Sequence, residues 1–93
     1  MKVLIVEDDA PLRVFMKDTV ESQGFETFTA ENGLQGLEEF KKVSPDLVLS
    51  DINMPKMNGL ELLEEIRKIS PDVIVVMVTA FGCEEYALKA MEL

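Results

Sequence analysis

Four times along the chain, a short apolar run gives way to a stretch with helical period. Val3 to Val6 is continuous and mostly β-branched, the composition of a strand covered on both faces. Pro11 suits a first helical turn, and Leu12, Phe15, Met16, Thr19 and Val20 then recur at the spacing of one inward stripe. Gly24 stops that helix, and Phe25 to Thr29 alternates as a less covered strand would. Asn32-Gly33 makes a turn, after which Leu34, Leu37 and Phe40 point inward while Glu38, Glu39, Lys41 and Lys42 meet water. Ser44-Pro45 breaks the chain before a third strand, Asp46 to Ser50. After the loop PKMNG comes a third stripe, Leu62, Leu63, Ile66 and Ile69. Ser70-Pro71 breaks it again, and Val73 to Val78 is the most apolar strand of all. A last helix is expected from about Glu84, with Ala87, Leu88 and Met91 inward.

Strands that alternate with helices pair in parallel, because each helix returns the chain to the same end of the sheet. Crossovers are right-handed, so helices on both faces require winding in two directions from the first strand. The expected fold is therefore α/β: a doubly wound parallel sheet of flavodoxin-like type, strand order 2-1-3-4. Strands 1 and 3 then lie side by side at a switch point, where the loops leaving them part and open a crevice. Their tips carry Glu7, Asp8 and Asp51.

Composition narrows the chemistry. Nine Lys and Arg against 18 Asp and Glu give a net charge of -9, a field that repels nucleic-acid backbones. The chain has no His, which excludes imidazole metal sites and His-dependent triads. A single Cys83 excludes an intrachain disulfide and Cys-rich zinc sites, and reads as a buried or incidental thiol. No apolar run reaches membrane-spanning length, and MKVLIVEDD turns acidic too early for a signal peptide. A cytoplasmic setting and one domain over residues 1–93 are expected.

Carboxylates that converge on one crevice repel by roughly 4 kcal/mol per pair about 4 Å apart at an effective dielectric near 20. Either a proton is shared or a cation sits among them. An all-oxygen donor set selects a hard divalent ion, and Mg²⁺ is the expected one. Asp8 and Asp51, with the main-chain carbonyl of Asn53, are its candidate ligands, and Glu7 acts through water. Asp51 beside such an ion can take up a phosphoryl group as an acyl phosphate. The Thr79 hydroxyl, at the end of the neighbouring strand, is a donor for the phosphoryl oxygens, and small Ala80 leaves room. These side chains also admit plainer readings: Asp8 and Asp51 as loop or cap acids, Thr79 as a strand residue.

LIVEDDAPLR, LSDINMPKMNG and VMVTA, at these spacings along four βα units, resemble the receiver domain of two-component response regulators. The resemblance covers the whole chain. It implies that Asp51 is the phosphoacceptor, Glu7 and Asp8 the acidic pair, Asp8 the direct Mg²⁺ ligand and Thr79 the switch hydroxyl. Pro55 and Gly59 would shape the loop after the acceptor, with Met54 packed beneath it. Asn53 and Phe81 would tune the lifetime of the phosphoryl group. A sensor histidine kinase or phosphotransfer protein would donate that group from a phosphohistidine. The aspartyl phosphate would then hydrolyse slowly, so the domain is a signalling switch rather than an enzyme. An output domain or effector outside this chain would read the change.

A receiver of this kind has five βα units, whereas the sequence runs to Leu93, inside or just after the fourth helix. The fifth strand, the last helix, the lysine after that strand and the aromatic switch residue are missing, and the natural protein is expected to be longer. Lys56 is expected to face solvent. Val73 to Val78 would be an edge strand, a template for self-association. Competing readings are a truncated receiver that only binds metal or self-associates, a Mg²⁺-dependent aspartyl phosphohydrolase, and a flavin carrier. The hydrolase would want a second acid where Asn53 stands. The flavin carrier would want a Ser-, Thr- and Gly-rich loop where EDDAP stands.

Overall fold

The computed structural model describes residues 1–52 and 57–78. Strands β1 (Lys2–Val6), β2 (Glu26–Ala30), β3 (Leu47–Asp51) and β4 (Ile74–Val78) alternate with helices α1 (Ala10–Glu21), α2 (Gly33–Val43) and α3 (Gly59–Ile69). All pairings are parallel and the order is β2-β1-β3-β4, the one expected. Strand limits fall within a residue of those read from the apolar runs. The helix expected from Glu84, and Cys83 before it, lie outside the described residues.

The sheet buries two different faces. On one, Leu4, Val6, Ala30 and Val48 pack against Phe40 of α2 and Leu62 and Ile66 of α3. On the other, Val3 and Ile5 meet Met16 of α1, with Leu12, Val20, Leu47 and Leu49 half-buried around them. β1 supplies residues to both layers and is fully buried from Val3 to Val6, which accounts for its continuous apolar run.

Helix ends are set by short-range chemistry. The Asn32 side chain accepts the Gln35 N–H at 2.9 Å and starts α2. At α3 a full capping box forms: Asn58 Oδ1 accepts the Glu61 N–H at 2.9 Å, and Glu61 Oε1 accepts the Asn58 N–H at 3.2 Å. α2 ends at Ser44, which takes the left-handed conformation (φ 49°) ahead of Pro45.

Three inward stripes are narrower than the spacing predicts. Phe15 is 66% exposed and Thr19 is exposed; the covered side of α1 runs through Leu12, Arg13, Met16, Lys17 and Val20 instead. Among the described helices α1 is alone on its face, so its stripe turns toward β1 and β2 and draws Arg13 under. Leu34 and Ile69, also expected inward, are about half exposed because each sits in a terminal helical turn, where fewer neighbours reach.

The core assignment predicts that Leu62→Ala loses about 2–5 kcal/mol of stability. Phe15→Ala is expected to change it by no more than about 0.5 kcal/mol. Urea unfolding followed by circular dichroism measures both.

Candidate functional site

Parallel register builds the site. β1 and β3 pair with Val6 opposite Ser50, so the next residues along the two strands, Glu7 and Asp51, emerge side by side at the carboxyl end of the sheet. Beside them β3 and β4 pair with Asp51 opposite Val78. The Glu7 N–H continues the β1–β2 ladder by donating to the Ala30 carbonyl at 3.0 Å, which seats Glu7 as firmly as a strand residue.

One carboxylate oxygen each from Glu7, Asp8 and Asp51 lies within 4.8 Å of the other two. Their settings differ: Glu7 is buried, Asp51 is partly covered and Asp8 is exposed. Asp51 Oδ1 accepts the N–H of Ile52 at 2.8 Å, which orients its carboxylate at the strand tip. Glu7 Oε2 accepts the Asp9 N–H at 3.1 Å. Below them the Ser50 hydroxyl, fully buried, donates to the Asp51 carbonyl at 2.9 Å.

Burial pushes the Glu7 carboxyl from its ordinary 4.5 up to about 7. The Asp9 amide opposes this, while the neighbouring Asp8 side chain and the charges of Asp51 and Asp8 add to it. Three carboxylates this close hold negative charge that a proton on Glu7 or a cation can neutralise. Their oxygens form an all-oxygen donor set with no soft ligand, which fits a hard divalent ion and suits neither zinc nor copper.

Two glycines permit the close packing around the cluster. A Cβ at Gly59 would overlap the Asp51 carbonyl, and the Gly59 N–H donates to Ile52 at 2.8 Å, tying the start of α3 to the strand tip. At Gly33, a Cβ would overlap the carbonyl of Met57, where α2 begins against the segment leading into α3.

Of the residues singled out in the sequence, the fold brings Glu7, Asp8 and Asp51 together. Asn53, Met54, Pro55, Lys56, Thr79, Ala80 and Phe81 lie outside the described residues. One contributor was not legible in the pattern. Arg13, which reads as an ordinary helix charge, donates from Nη1 to the Glu7 carbonyl at 2.8 Å. Its only sequence signal is its place one turn past the acids, on the side of α1 that faces the sheet.

The chain matches the family model for the response regulator receiver domain over residues 3–93. It is 40% identical over 92 residues to the chemotaxis protein CheY of Bacillus subtilis, covering 98% of this chain and 77% of that protein. A receiver domain protein from Clostridium thermocellum superposes with a TM-score of 0.91 at 34% identity, over 98% of this chain and 74% of that one. The response regulator TrrA from Thermotoga maritima, solved in complex with Mg²⁺-BeF, gives 0.87 at 35% identity, over 96% and 79%.

The raised Glu7 carboxyl makes the metal-free fold pH-dependent. Between about 4.5 and 7 the folded state holds a proton that the unfolded chain has released, so stability falls as pH rises through this window. The contribution is full below 4.5, and its loss is on the order of 3 kcal/mol by pH 8. Glu7→Gln should flatten the dependence. Denaturant midpoints from pH 4.5 to 8, without divalent ions, measure it.

Proposed function

The chain belongs to the response regulator receiver domain family, the phosphoacceptor modules of two-component signalling, and we propose that its acceptor is Asp51, served by Mg²⁺ at Glu7, Asp8 and Asp51. The observation that carries this reading is the convergence of three carboxylates within 4.8 Å at the tips of β1 and β3. The Mg²⁺-BeF complex of TrrA supports the choice of ion. Asp8 and Asp51 would hold the ion directly, with the Asn53 carbonyl as a further ligand, and Glu7 would act through water. Mg²⁺ would screen the charge of an incoming phosphoryl group.

The chain's own part is to present a nucleophile. Ile52 N–H holds one Asp51 oxygen, and an Asp51 carboxylate oxygen attacks phosphorus. The P–N bond to the histidine of a sensor kinase or phosphotransfer protein breaks, and the imidazole keeps the electron pair. Thr79 follows in the chain the Val78 that pairs with Asp51, and its hydroxyl would donate to the transferred group. Water later cleaves the acyl phosphate slowly, which resets the switch. Cytoplasmic location suits a partner of this kind, and among the described residues no helix is long and apolar enough to cross a membrane. An output domain or effector reads the phosphorylated state.

Incubation with a small phosphodonor and Mg²⁺, followed by intact mass, is the test. Wild type should gain one phosphoryl group; Asp51→Asn should gain none, and Asp8→Ala at least about tenfold less at matched Mg²⁺. An adduct that persists in Asp51→Asn rejects the assignment, and steady turnover of a phosphomonoester favours a hydrolase. A second expectation concerns self-association through Val73 to Val78. β4 ends the strand order among the described residues, with Ile74 58% and Val76 42% exposed. Light scattering of the 93-residue chain should show concentration-dependent growth in mass, and Val76→Lys should suppress it.

A further inference from the structure

Resting on the magnesium reading above, we propose that Arg13 is a positioning residue for the acidic cluster. Its guanidinium fixes the peptide plane between Glu7 and Asp8, and with it the direction in which both carboxylates enter the cluster.

Glu7 and Asp8 are neighbours in a turn between β1 and α1, and the peptide that joins them is planar, so holding its carbonyl oxygen sets the plane from which Asp8 departs. Arg13 Nη1 holds that oxygen at 2.8 Å, and Arg13 Nη2 lies 3.9 Å from Glu31 Oε1, at the end of β2. The side chain is 17% exposed and Glu31 66%. The guanidinium is therefore packed at its own end and wet at its partner's. Among the described residues the other bonds of this turn are backbone-based or internal to the cluster: Glu7 N–H to Ala30, Asp9 N–H to the Glu7 carboxylate, Arg13 N–H to the Asp9 carbonyl, and the side-chain bond between Glu7 and Asp8. Arg13 is thus the side chain outside the cluster that reaches into the turn and orients it. The positioning rests on the bond from Nη1 to the Glu7 carbonyl; the 3.9 Å approach of Nη2 to the wet Glu31 carboxylate is a surface ion pair of little weight.

The positioning has a readout that does not depend on phosphorylation. In calorimetry with Mg²⁺, at a temperature where every variant is folded, Arg13→Ala should bind about 10- to 100-fold more weakly than wild type. Arg13→Lys should recover part of that loss, and Glu31→Ala should bind as wild type does. Amide exchange at Asp9, whose N–H the Glu7 carboxylate holds, should quicken about tenfold in Arg13→Ala and stay unchanged in Glu31→Ala. Wild-type Mg²⁺ affinity in Arg13→Ala overturns the proposal. Should wild type itself take up no Mg²⁺, the metal site fails separately, and Asp9 exchange decides alone: quickening upholds the positioning role and an unchanged rate ends it. If Arg13→Ala does not fold, Arg13→Met, which keeps the packing of the stem and removes the donor, takes its place in both measurements.

Discussion

The backbone pairing of β1 with β3 carries the molecule. It joins two strands far apart in sequence, places Val6 beside Ser50, and makes Glu7 and Asp51 neighbours where the ladder ends. Both layers of the core close on the same pair of strands: Leu4, Val6 and Val48 toward α2 and α3, Val3 and Ile5 toward α1. Both faces of β1 are apolar, so a slip of one residue would exchange one apolar set for another. What holds the register is the fit of these side chains against the helices, together with the charged residues, Lys2 and Glu7, that bound the run. The nearness of Glu7 and Asp51 is inherited from that register, and orienting the turn that carries Asp8 falls to other contacts.

Bringing them near is unfavourable in itself. At 4.8 Å a pair of carboxylates repels by about 3 kcal/mol at an effective dielectric near 20, and Glu7 is buried as well. The fold tolerates this because burial lets Glu7 keep a proton near neutral pH and because amides of the turn and of Ile52 stabilise charge on Glu7 and Asp51. The strain is local and relieved by neutralisation, the condition under which a site responds to a cation or to a change in its own charge. Arg13 adds a fixed positive group behind the turn, bonded to a carbonyl rather than to the cluster's carboxylates.

Sequence and structure agree where burial is two-sided and diverge where it is partial. The run Val3 to Val6 was readable as a central strand because nothing else makes four consecutive apolar residues useful. Leu62, Leu63 and Ile66 were readable because the middle of α3 is buried at helical spacing. Phe15, Thr19, Leu34 and Ile69 misled because periodicity gives the angle between side chains but not the absolute rotation of a helix about its axis, nor how far its ends overhang. The capping box at Asn58 and Glu61 went unread, although N-x-x-E before LLEEI is its signature, because the loop drew notice for its Pro and Gly.

By itself the amino-acid order determined the alternation of elements, the parallel sheet and its order, and the presence of acids at two strand tips, because these follow from periodicities of two and 3.6 residues and from the connectivity they force. Only the tertiary structure decided that Glu7 is buried and proton-retaining while Asp8 beside it is exposed, and that Arg13 turns inward to hold their common peptide. Burial and hydrogen bonding depend on which atoms from distant segments arrive at the same place, and no local pattern of residues encodes that.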